Sequence, residues 1–97
     1  MSRKKVLLVE NNTNDQANMS KVLIESRHHV TTAGDGMSAF PEIVSDHYDL
    51  VITELDLPRM NGLDLLRRIK EINKSLPVII ASANARVQEA VEAMKLG

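Results

Sequence analysis

Four short apolar runs, separated by segments with helical spacing, constrain this chain more than any other feature. They lie at 6–9 (VLLV), 29–33 (HVTTA), 50–53 (LVIT) and 78–81 (VIIA). Unbroken apolar or β-branched runs of this length read as strands, buried on both faces where the run is continuous. Between them the spacing changes. A helix is expected over 14–26, opened by a capping box of Thr13 and Gln16, with Met19, Val22, Leu23 and Ala17 turned inward. Gly34-Asp35-Gly36 is a turn, and Asp35 is the expected N-cap of a second helix. Pro41 sits inside that helix and predicts a kink or a shortened first turn. A third helix starts near Gly62 and carries Leu63, Leu66, Ile69 and Ile72. A fourth spans 85–96, with Val87, Ala90, Val91 and Met94 on one stripe. Strands alternating with helices in this way predict one α/β domain, a parallel sheet covered by helices on both faces.

Composition removes several function classes. The chain has 97 residues, 12 basic and 13 acidic, for a formal net charge of −1. That balance does not suit direct nucleic-acid binding, which draws on a net basic face. Phe40 and Tyr48 are the whole aromatic complement, so base-stacking platforms are excluded. Without cysteine there are no disulfides and no thiolate metal sites. The apolar runs are too short to span a membrane or serve as a signal peptide, so a soluble cytoplasmic module is expected.

In open parallel α/β sheets, sites form outside the carboxyl ends of the strands. Glu10 and Asn11 follow the first strand, Glu54 and Asp56 the third, and Ser82, Ala83 and Asn84 the fourth. Converging carboxylates repel unless a cation or a proton compensates, which suits a hard divalent ion such as Mg²⁺ with oxygen ligands. Each residue also has a plainer reading. Glu10 alone would be a solvated loop acid, and Ser82 alone a helix cap. Asp56, between Leu55 and Leu57, reads as a rim residue pointing away. Arg67, Arg68, Lys70 and Lys74 read as the solvated face of a helix, Asp49 as a local cap or pair. His28, His29 and His47 lack metal-ligand spacing and read as surface residues.

Four segments in order, VLLVEN, GDGMSAF, YDLVITELDLPRMNGLDLL and PVIIASA followed by AVEAMKLG, resemble the receiver domain of two-component response regulators. The third is the most specific: an acid, then Pro58, then Asn61-Gly62. The resemblance implies a flavodoxin-like (CheY-like) three-layer sandwich with strand order 2-1-3-4. The fifth strand and helix of the family are absent from residues 1–97, which would form an incomplete receiver. The AMKLG ending looks most like nitrogen-regulator receivers. In the family an aspartate ending strand three accepts phosphate from a histidine kinase, beside Mg²⁺ and a Ser or Thr after strand four. Carried over, Glu54 takes the acceptor position, and Glu10, Asn11, Glu54 and Asp56 (through its carbonyl) the metal positions. Ser82 and Ala83 take the phosphoryl-contact positions, and Pro58 and Gly62 shape the loop.

This sequence departs from the family at the acceptor and at the second acid. Glutamate carries its carboxylate roughly 1.5 Å beyond that of aspartate. A displacement of about 1 Å can cost on the order of a hundredfold in rate. Asn11 removes an anionic ligand, so Mg²⁺ binding is expected to be weak or lost. The family's Lys after strand five is also missing from the segment. The resemblance therefore implies a degenerate receiver acting through protein–protein contacts, the alternative being one that still accepts phosphate from a histidine kinase. Expected partners are a histidine kinase or phosphotransfer protein and an effector domain in a longer gene product. Strand four as a sheet edge, with Val78, Ile79 and Ile80, predicts a homodimer or swapped oligomer. Neither direct nucleic-acid contact nor a membrane is expected.

Overall fold

The computed structural model describes residues 3–80. Strand β1 is Lys5–Val9, β2 His29–Ala33, β3 Leu50–Thr53 and β4 Val78–Ile80. Helix α1 is Thr13–Glu25, α2 Gly36–Ser45 and α3 Gly62–Ile72. Ala81, Ser82, Ala83, Asn84 and the helix expected over 85–96 lie outside the described residues.

All pairings are parallel, in the order β2-β1-β3-β4. β1 and β3 hold the middle of the sheet, and residues 6–9 of β1 form an unbroken apolar run. Val6, Leu7, Leu8 and Val9 are fully buried. Pleating sends alternate residues to opposite faces. Leu7 and Val9 join Val51, Ala39, Leu65 and Ile69 in the core under α2 and α3. Val6 and Leu8 face the other way, where α1 lies over β1 and β2.

Four helix expectations need correction. Asn12, not Thr13, caps α1: its side chain accepts from the Asp15 amide at 2.9 Å. Asn12 is extended (φ −74°, ψ 120°), and its own carbonyl accepts the first helical bond from Gln16. Gln16 does not reach back to the cap; its Nε2 donates to the Glu10 carbonyl at 3.0 Å. That contact sets the inward stripe of α1 as Gln16, Met19, Ser20 and Leu23, all half-buried. Val22, one residue and so about 100° off this stripe, is 62% exposed. Ala17 is exposed as well. On α3 the buried stripe is Gly62, Leu65, Leu66 and Ile69. Leu63 is half-buried and Ile72 is exposed. A ladder of strict threes slips back about 60° per step, so its far end leaves the core. Pro41 does not shorten α2, which runs from Gly36 through it to Ser45.

Candidate functional site at the carboxyl edge of the sheet

The parallel register brings β1 and β3 to one edge together, Val9 beside Thr53. The next residues are Glu10 and Glu54, and the Glu54 amide donates to the Val9 carbonyl at 2.8 Å. The Glu10 amide donates to the Ala33 carbonyl at 3.0 Å, tying the same edge to β2. Glu10 is buried and Glu54 half-buried. Burial is the main force raising the Glu10 pKa, and the neighbouring Glu54 carboxylate raises it further. The Asn12 amide, 3.2 Å from Glu10 Oε2, opposes both.

The other expected residues are less concentrated. Asn11 is exposed, and its Nδ2 donates to the Gly34 carbonyl at 3.2 Å, committing the side chain to the β2–α2 turn. Asp56 is exposed while Leu55 and Leu57 are buried, so its carboxylate is at the rim. Among the described residues no three His, Cys, Asp or Glu side chains cluster closely enough to hold a metal ion. An octahedral Mg²⁺ site takes six oxygens, with water and carbonyls beside carboxylates. Among the described residues the carboxyl edge offers two carboxylates towards that demand, Glu10 and Glu54.

The loop after Glu54 is closely held. The Gly62 amide donates to the Leu55 carbonyl at 2.8 Å. A Cβ on Gly62 would stand 2.2 Å from the Glu54 carbonyl oxygen, so this approach admits only glycine. Asn61 caps α3 by accepting from the Asp64 amide at 2.8 Å. Pro58 is exposed and opens a three-residue turn, closed by the Met60 amide on the Pro58 carbonyl at 2.8 Å. Its central residue, Arg59, has a φ of 66°, a left-handed conformation unusual outside glycine.

Sequence reasoning missed what Arg59 does. Its guanidinium pairs with Asp35, the buried N-cap of α2, which also accepts from the Ser38 amide at 2.7 Å. Arg59 first, and the Ser38 amide second, lower the Asp35 pKa. The loop also presses on α2 through its backbone: a Cβ on Gly36 would lie 2.5 Å from the Met60 carbonyl oxygen. The capping signal of Asp35 was legible, but a pair 24 residues apart leaves no local trace. At the opposite end of the sheet Asp49 accepts from the Lys5 amide at 2.8 Å, a partner 44 residues away, besides the local contact with His47 Nε2 at 3.3 Å. His29 and His47 are exposed, and half-buried His28 accepts from the Lys4 amide at 3.1 Å.

The comparisons with known proteins agree with this architecture. Residues 6–97 match the family model described as the response regulator receiver domain. The chain is 33% identical over 93 residues to the two-component response regulator PhoP of Pseudomonas aeruginosa, covering 96% of this chain and 41% of that protein. It is 30% identical over 92 residues to the sensor protein EvgS of Escherichia coli, covering 95% of this chain but 8% of that protein. The chain thus spans less than half the length of these curated relatives. A receiver-domain crystal structure from Clostridium thermocellum superposes with a TM-score of 0.91 at 28% identity, covering 97% of this chain and 76% of that one. A response regulator receiver from Pseudomonas putida gives 0.89 at 28% identity, covering 100% and 82%. With a parallel 2-1-3-4 sheet, acids at its carboxyl edge and a family match over nearly its whole length, this chain belongs to the response regulator receiver domain family.

Proposed function

We propose that this receiver signals through protein–protein contacts with little phosphorylation of its own. Glu54 at the end of β3, beside buried Glu10, is the observation that carries the reading. Its additional methylene puts a nucleophilic oxygen beyond where an aspartate would hold it, and such steps depend on position. Receiver domains generally bind Mg²⁺ at the phosphorylation site. Here that binding is weak or lost, because Asn11 replaces an anionic ligand and turns towards Gly34. In this reading the chain is a signalling domain and not an enzyme. It works in the cytoplasm, with a histidine kinase or phosphotransfer protein and an effector domain as partners. Copies associate through β4, where Ile79 is 49% exposed at the edge of the described sheet.

A second reading, a receiver that still accepts phosphate from a histidine kinase, draws support from the loop. Gly62 and the Leu55 closure keep a compact scaffold around position 54. One measurement separates the two. The protein is incubated with acetyl phosphate and Mg²⁺, and its intact mass recorded. No phosphoryl adduct is expected on the native chain. An adduct that disappears in Glu54→Ala supports the second reading and ends the first.

A further inference from the structure

Beside the acceptor loop, on the α2–α3 side of the molecule, lies an open groove of about 350 Å³. It is lined by Met37, Arg59, Met60, Asp64, Arg67 and Arg68. The chain is slightly acidic overall, yet this groove gathers three guanidiniums against one lining carboxylate. Asp64 stands 3.5 Å from Arg67, and Asp35 answers Arg59 from behind the groove. Arg68 is exposed and makes no ion pair among the described residues. The one other basic residue of α3 behaves differently. Lys70 folds back to donate to the Leu76 carbonyl at 2.6 Å, so the arginines alone serve the groove.

The apolar half of the groove is methionine. Met37, in the first turn of α2, is 55% exposed. Met60 is buried and lines the same groove. Methionine and arginine are the residue types enriched in protein interfaces, methionine for its adaptable shape and arginine for its planar fork. A guanidinium fork binds a carboxylate through two parallel hydrogen bonds. We infer that this groove docks an acidic segment of a partner protein, its carboxylates on Arg67 and Arg68 and an apolar side chain against Met37. The surface abuts the acceptor loop through Arg59 and Met60, yet docking there needs no phosphoryl transfer.

The test uses the full chain and a fluorescein-labelled ten-residue peptide with a central leucine among aspartates and glutamates. Anisotropy is expected to show saturable binding that weakens as salt rises. The double variant Arg67→Glu/Arg68→Glu is expected to weaken it by about tenfold or more, since two attractions become repulsions. Replacing the peptide's leucine by serine is expected to weaken it too. Both arginines are exposed, and the thermal midpoint verifies that the variant is folded; Arg68→Gln serves if it is not. Failure to saturate overturns the inference, as does unchanged affinity in the arginine variants or with the serine peptide. Equal or tighter binding of a single-stranded oligonucleotide or of phosphatidylglycerol vesicles also overturns it, because the surface would then be a general anion site.

Discussion

At the residue scale, one buried carboxylate and one glycine are tightly constrained by their surroundings. Glu10 is buried next to a second carboxylate, so folding makes its proton harder to remove. A raised folded pKa contributes stability below the ordinary value of 4.5, and that contribution is lost as pH rises through the folded value. Near neutral pH ionised Glu10 is therefore a burden. Glu10→Gln is expected to raise the thermal midpoint near neutral pH, with the gain fading below 4.5. Thermal melts of both proteins across the acidic range check this. Gly62 is the steric counterpart. A methyl group there would stand 2.2 Å from the Glu54 carbonyl oxygen, which is backbone and has no rotamer to yield. Gly62→Ala is expected to cost about 1–3 kcal/mol in urea denaturation, the range for overpacking. Both positions were recognisable in the sequence, Glu10 by following an apolar strand and Gly62 by following Asn61. The meeting of Glu10 and Glu54 followed from setting both at the carboxyl ends of parallel strands; how deeply Glu10 is buried and how closely the loop returns Gly62 to the Glu54 carbonyl did not, because both depend on packing.

At the element scale, strand bounds and helix starts were legible while helix faces were not. HVTTA and LVIT form β2 and β3 over their whole expected length. Asp35 caps α2 as its turn chemistry indicated. The start of α1 came out one residue early because Asn12 competes with Thr13 for the cap, and the asparagine carbonyl reaches the Asp15 amide. The face of α1 shifted because Gln16 is bonded to strand-end carbonyls, an anchor that periodicity does not record. Caps of this kind have a measurable weight. Asn61→Ala removes the acceptor for the Asp64 amide and is expected to destabilise the protein by ~1 kcal/mol. Denaturant midpoints check it, and Asn61→Asp should retain most of the stability.

At the scale of the whole molecule, the sheet formed by the described residues has an apolar middle and two unlike edges. β2 closes one side with HVTTA, whose exposed Thr32 and His29 blunt it. β4 carries exposed Ile79 on the other. If copies pair through β4, Ile79→Lys should shift the population towards monomer in sedimentation at micromolar concentrations, since an edge lysine opposes strand addition. An unchanged distribution removes β4 from the association surface. The sequence by itself determined the strands, the parallel α/β class and the ends of the sheet at which acids gather. Those properties are set by local propensity and by the need to bury apolar runs. Only the tertiary structure decided that Asn11 turns to Gly34 instead of the site, that Arg59 spans to Asp35, and that methionines and arginines line one groove. These contacts join residues distant in the chain, and their geometry exists only after the sheet has fixed where each loop emerges.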